Sequence, residues 1–342
     1  MSFDPSRSPE LSPDDALPPV EPPSAGFIVQ LFVVPGVIVV VVVMIWVLFN
    51  WLAHKGNDRD AFVRALSRNN EARWQAAFNL ANALRAERGS SRGALSTDPE
   101  LARQLADILK SEIETASMKP NPLTLRIYLC CALGEFKVPD GLPTLIEAAG
   151  TVRSEKESDV RRAALEGIAR LADNVGGEHR QFSHNPELEK VLLEAAADDD
   201  PQSRSIAAVA LGVIGTPRML EKLRFMIEDA NPNVRYNAAA RLSQRGDGTA
   251  LPVLLEMLDQ QETAGVDIEK KPELRPFKRA LITINALRAG GQLAAKNRGA
   301  DLGELKAAAE KLLAGGASGE IRIEATGLVR RLENRAAPES AH

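Results

Sequence analysis

The chain has 342 residues, only 4% of them aromatic, with two cysteines and a formal net charge of −4. So little aromatic mass argues against a β-sandwich or barrel core and for helices packed through Ala and Leu. The charge balance excludes the basic stripe expected of a nucleic-acid binder. The two cysteines exclude a disulfide framework, as in a reducing compartment.

Residues 1–26 contain seven prolines, with Ser and Asp between them. Such a segment buries too little to offset its ordering entropy and reads as a disordered acidic tail. A terminus without a role is the simpler reading, and a docking peptide at Leu17-Pro18-Pro19-Val20-Glu21-Pro22-Pro23 the sharper one. Residues 1–52 hold one basic residue, Arg7, against Asp4, Glu10, Asp14, Asp15 and Glu21, which leaves the remainder of the chain neutral.

Phe27–Phe49 is apolar except for Gln30. As a helix it would span roughly 34 Å at about 1.5 Å per residue, enough for a hydrocarbon core of about 30 Å. In lipid a lone segment satisfies its backbone only as a helix, so a single transmembrane helix is predicted over 27–52, with lipid as a partner. Pro35-Gly36 falls near its start, and Trp46 and Trp51 suit the interfacial belt. A cleaved signal peptide fits less well, because the flank lacks positive charge and the run is long. Arg7 upstream is outnumbered by Lys55, Arg59, Arg64 and Arg68 downstream, so the positive-inside rule places the C-terminal domain in the cytoplasm.

From Asn57 the sequence predicts fourteen helices in seven antiparallel pairs over 57–335, followed by a short disordered tail at 336–342. First members are expected near 57–67, 98–116, 140–149, 187–198, 217–229, 248–260 and 302–314. Second members are expected near 70–86, 122–133, 157–173, 201–214, 232–244, 273–289 and 319–334. Starts are marked by a capping residue before proline at Asp98-Pro99, Asn121-Pro122, Asn185-Pro186, Asp200-Pro201, Thr216-Pro217 and Asn231-Pro232. Stops are expected at Gly134, Gly150, Gly176, Gly215, Gly246, Gly290 and Gly315. Longer inserts lie at 88–97, 173–184 and 260–271.

The recurring stretch is clearest at Asn231-Pro232-Asn233-Val234-Arg235-Tyr236-Asn237-Ala238-Ala239-Ala240-Arg241-Leu242. Val234, Ala238 and Leu242 share one helix face. Arg235 opposes the helix dipole, which makes sense only beside an anion. Asp229 precedes Arg235 by six residues, and Asp198 precedes Arg204 by the same interval. The expectation is that each Asp sits in the turn and that the Arg bonds to it or to its neighbour in the next repeat. Asp then Val-Arg, Ala-Ala and Leu resembles the HEAT and HEAT-like repeat family, which includes the repeats of phycobilisome lyases. Good copies surround Arg161, Arg204 and Arg235, and weaker ones surround Arg73, Arg126, Arg275 and Arg322. From Arg73 to Arg322 the period is roughly 41 residues, inside the HEAT range. The resemblance implies an all-α solenoid with second helices on its concave side. The Asp is missing before Arg73, Arg126, Arg275 and Arg322, so the ion-pair ladder is expected to break outside the middle.

No catalytic constellation emerges: there is no phosphate loop, nucleophile elbow or dinucleotide fingerprint. His179 and His184, beside Glu178, lack a third ligand at metal spacing and read as a solvated loop. Cys130-Cys131 read as buried apolar positions. No cofactor and no small-molecule substrate are expected. The repeat arginines Arg161, Arg204 and Arg235, with Asp198 and Asp229, read as structural ion pairs. A surface run of Arg162, Arg241 and Arg245 is the candidate for binding an acidic partner. The function expected is a membrane-anchored, non-catalytic scaffold for unidentified protein partners. The lyase-like alternative would need a groove gathering Arg, Tyr or Cys, and Tyr128 and Tyr236 are the only tyrosines.

Overall fold

The computed structural model describes residues 25–55, 59–68, 72–87, 94–317 and 319–336, and every regular element among them is helical. The tail expectations for residues 1–24 and 337–342, and residues 88–93 of the first insert, lie outside that description. The chain divides into two compact units between Asp58 and Arg59.

The first unit is built on α1, Ala25–Lys55. Its stretch Val29–Leu48 has a mean hydropathy of 3.1 and is long and apolar enough to cross a membrane, and none of its described side chains is buried. Pro35 lies inside the helix. It withholds the N–H that would reach the Leu31 carbonyl, a loss felt most in lipid, where no water replaces it.

Among the described residues the second unit is an array of seven helix pairs. The first is α2 (Arg59–Ser67) with α3 (Arg73–Ala86), followed by α4 (Pro99–Thr115) with α5 (Pro120–Gly134) and α6 (Leu142–Gly150) with α7 (Ser158–Val175). After one turn of helix, α8 (Arg180–Ser183), come α9 (Pro186–Ala195) with α10 (Pro201–Ile214) and α11 (Pro217–Met226) with α12 (Pro232–Gln244). Next is α13 (Leu251–Leu258), a single turn α14 (Ala264–Asp267), then α15 (Arg275–Lys296), and last α16 (Gly303–Ala314) with α17 (Gly319–Ala336). The second helices form one continuous layer, α3 on α5, α5 on α7, α7 on α10, α10 on α12, α12 on α15 and α15 on α17. The first helices form the other, with α2 on α4, α4 on α6, α6 on α9 and α9 on α11. Each pair buries its apolar faces against its neighbours, the arrangement of an α-solenoid.

Five of the six cap-then-proline starts close as the sequence predicts. Asp98 accepts from the N–H groups of Glu100 and Leu101, and Asp200 from those of Gln202 and Ser203. Asn185, Thr216 and Asn231 cap α9, α11 and α12. The exception is Asn121, because α5 begins two residues earlier at Pro120 with Lys119 as its uncapped flank. Pro120 and Pro122 both fit in the first turn, where N–H groups have no intrahelical partner. The expected starts near 140 and 248 fall on single 3₁₀ turns, Pro139–Gly141 and Gly248–Ala250, that lead into α6 and α13.

Gly176, Gly215 and Gly246 have positive φ and end their helices as expected. Gly290 does not stop α15, which runs on to Lys296. Its role is packing: a Cβ there would sit 2.8 Å from Leu305 Cδ2 of α16. Gly134 and Gly167 do the same between α5 and α7. A Cβ on Gly134 would lie 2.7 Å from the Gly167 Cα, and one on Gly167 would lie 2.7 Å from the Cys130 carbonyl oxygen.

Candidate functional site

The repeat arginine has one constant task in this structure. In all seven copies it turns back to a carbonyl at the end of the preceding segment. Arg73 Nε donates to the Leu66 carbonyl at 2.7 Å, Arg126 Nη2 to Ser117 at 2.6 Å and Arg161 Nη1 to Ser154 at 3.3 Å. Arg204 Nη1 donates to the Asp198 carbonyl at 2.9 Å and Arg235 Nη1 to the Asp229 carbonyl at 2.8 Å. Arg275 Nε and Arg322 Nε reach Glu269 and Ala317 at 3.3 and 2.8 Å. Most of these acceptors are turn carbonyls within three residues of the preceding helix's end, which the guanidinium thereby satisfies; Ser154 is instead the N-cap of the 3₁₀ turn that leads into α7.

The carboxylate comes second, and from the following repeat. Arg204 binds both oxygens of Asp229, Nε at 2.8 Å and Nη2 at 2.9 Å. Arg235 pairs with Glu256 of α13, which also accepts from Tyr236 Oη at 2.9 Å. The Asp198 carboxylate receives no arginine; it closes its own turn on the Asp200 N–H at 2.8 Å. Among the described residues Arg161 reaches only the Ser154 carbonyl and no acid. The expected break outside the middle needs correction at Arg73, Arg126 and Arg275, the last paired with Asp267 at 3.3 Å, whereas Arg322 meets only the Ala317 carbonyl among the described residues. Arg73 pairs with Glu112 at 2.7 Å, and Arg126 pairs with Glu157 with both side chains almost wholly buried. Glu157 also receives Arg153 Nη2 at 2.8 Å. A second cluster joins α3, α5 and α7, where the buried Glu135 accepts from Arg85 at 3.1 Å and Arg170 at 2.8 Å. Sequence reasoning missed these acids because they stand at no fixed interval from their arginines.

Among the partner-facing candidates, Arg162 is tied to Asp200 at 2.9 Å and to Asp159. Arg245 donates to the Gly212 and Val213 carbonyls at 3.2 and 2.6 Å. Only Arg241 is left facing an opening, a cavity of about 460 Å³ between α12 and α15 lined in part by Ser205, Asn237, Asn285 and Gln292. His179 caps α8 through Nδ1, and His184 Nδ1 lies 2.9 Å from Ser183 Oγ. Cys130 is buried and its thiol is pushed far up by desolvation; Cys131 is raised by burial and by Glu166. Tyr128 stacks on Trp74 at 6.1 Å between centroids, whereas Tyr236 is bound to Glu256. The two tyrosines stand on α5 and α12, separated by α7 and α10 in the layer, and do not share a groove.

The acids of this network set a pH window. Burial resists ionisation at Asp200, but Arg162 and the N–H groups of Gln202 and Ser203 override it and hold the carboxyl at about 2. Arg204 holds Asp229 below the usual carboxylate range. At Glu157 burial is likewise overridden, by Arg153 and Arg126. A depressed folded value gives stability that is complete above the unfolded value, about 4, and is lost as pH falls through the folded one. Urea midpoints are therefore expected to be flat from about pH 7 to 5 and to fall from about pH 4 towards 2. Asp229→Asn should flatten part of that fall, and a loss beginning above pH 5 would rule out these carboxylates as its source.

Residues 189–267 match the sequence profile of HEAT repeats, and the pairs on either side repeat the same construction. The crystal structure of YibA from Escherichia coli covers 84% of this chain and 96% of its own at 18% identity, with a TM-score of 0.36. That superposition is too loose to carry a functional argument. No curated protein matches the chain.

Proposed function

Starting from a HEAT-like repeat chain, we propose that it is a membrane-anchored scaffold, with α1 as the anchor and the helix-pair array as a non-catalytic binding surface on the cytoplasmic side. The observation that carries the reading is where the polar chemistry goes. The repeat arginines close turns and join neighbouring pairs, and the cysteines are desolvated, so the array's reactive side chains serve its own construction. What remains for function is extended surface, which such arrays use to hold partners.

The anchor is supported by the length and hydropathy of Val29–Leu48. The orientation rests on the excess of Lys55, Arg59, Arg64 and Arg68 over Arg7. Alkaline carbonate extraction is expected to leave the protein in the membrane pellet. The double variant Val40→Arg/Val43→Arg, at about 2.5–3.5 kcal/mol per arginine near the bilayer centre, should release it. Recovery of the unsubstituted protein in the soluble fraction, or a chain shortened behind α1, would refute the anchor. C-terminal reporters active on only one side of a membrane decide the orientation. Crosslinking in intact cells tests the scaffold: a partner held through residues of α2–α17 is expected, and the reading fails if crosslinks form only to lipid.

A further inference from the structure

Arg241 differs from the repeat arginines. Among the described residues it donates to the Gln244 side chain at 2.8 Å and to no carboxylate or backbone carbonyl. It is nonetheless half-buried and fixed in place. Its stem crosses α10 at Gly212, where any Cβ would collide with the Arg241 Cβ and Cγ. Desolvation pulls the guanidinium below the usual arginine value, and Asp173 acts on it only from a distance. A half-buried cation whose nearest acids, Asp173 and Glu166, border a neighbouring cavity without bonding to it gains when a carboxylate is brought into contact.

The surroundings indicate what carries that carboxylate. The cavity of about 460 Å³ that Arg241 borders presents Asn233, Asn237, Asn285 and Gln292 along α12 and α15. A primary amide both donates and accepts, which is the pattern a peptide bond requires of its neighbour. Met257 and Ile282 supply an apolar patch in the same wall. Arg288, on the same wall, is already paired with Glu320 and Glu324, leaving Arg241 as the cation for an incoming acid.

We infer that the groove between α12 and α15 binds an extended peptide segment of a partner, with an acidic side chain seated on Arg241 and its backbone paired to the amides of Asn285 and Gln292, the Asn237 amide being held by Ser205. This deepens the scaffold reading and rests on it.

The test uses the full chain in nanodiscs and a phage-displayed library of random twelve-residue peptides. Selected peptides are then measured by fluorescence anisotropy, with free acetate and inorganic phosphate in parallel. The expected result is a shared Asp or Glu, and affinity that falls about tenfold in Arg241→Gln, the weight of one lost charge-assisted bond. Asn285→Asp adds a carboxylate to the wall of the same cavity from an exposed position, and is expected to repel the incoming acid and cause a similar loss with an unchanged melting temperature. Peptides without a common acid, affinity indifferent to both variants, no peptide recovered, or acetate and phosphate binding as tightly as peptide would each overturn the inference. A cellular crosslink partner still held by Arg241→Gln would sink the groove and leave the scaffold standing. Loss of every crosslink partner in the unsubstituted protein would sink the scaffold.

Discussion

Replacing Glu157 with Gln is expected to destabilise the array by about 3–5 kcal/mol, the usual cost of removing one partner from a buried ion pair. Glu157 is the acid of Arg126, whose side chain is 0% exposed, and it holds Arg153 as well. Arg126 keeps one other bond, to the Ser117 carbonyl, and its Nε is already buried without a partner. Without Glu157 its charge stays in the core with nothing to neutralise it. Arg153 suffers less, because it is 36% exposed and retains the Ile113 carbonyl. Asp229→Asn in the more exposed Arg204 pair should cost about 1–2 kcal/mol by comparison. The double variant Arg126→Met/Glu157→Leu should recover most of the loss, since a buried pair is often no more stable than apolar groups of similar volume. Urea denaturation followed by circular dichroism measures all four proteins. Equal midpoints for Glu157→Gln and Asp229→Asn would show that burial does not set the scale.

The second large effect pairs two glycines of opposite sign. Gly167→Ala removes a poor helix former from the interior of α7, which by propensity alone gains about 1 kcal/mol. Its Cβ, however, would lie 2.7 Å from the Cys130 carbonyl oxygen and 3.1 Å from Leu145 Cδ2. The first neighbour is backbone of α5 and cannot turn aside, so the two helices must separate. Overpacking of this kind costs about 1–3 kcal/mol, and spreading a helix pair belongs at the upper end. A net loss of about 1–2 kcal/mol is expected. Gly327→Ala in α17 meets nothing within 4 Å and should stabilise by about 0.5–1 kcal/mol. Arrays of this type need not unfold in one step, so amide hydrogen exchange should accompany the melts. Faster exchange confined to α5 and α7 in Gly167→Ala is the expected signature. Gly167→Ala equal to or better than the unsubstituted chain would mean that α5 and α7 are not in such close contact.

Legibility followed the range of the interaction. The starts of α9, α10, α11 and α12 were readable to within a residue, because Asn185, Asp200, Thr216 and Asn231 act on N–H groups two or three positions away, while α9 and α11 end three residues before their expected stops. Gly290 was misread as a stop because a glycine beside Leu305 of another helix looks, along the chain, like a glycine in a turn. The arginines were legible as structural, but not their partners. Glu112, Glu157 and Glu256 are brought to Arg73, Arg126 and Arg235 by the stacking of one pair on the next, at 39, 31 and 21 residues' distance. Arg162 and Arg245, grouped in the sequence with Arg241 as free cations, are consumed by Asp200 and by the α10 carbonyls.

By itself the sequence determined an all-helical array with a period near 41 residues and an apolar segment ahead of it. Helix caps, apolar periodicity and hydropathy all act within a few turns of the chain, and composition suffices to express them. Which acid each arginine meets, where glycines let two helices touch, and that Arg241 borders an amide-lined groove were decided only by the tertiary structure. Those outcomes depend on how neighbouring pairs rotate and approach, and short-range patterns in one dimension carry no record of that distance.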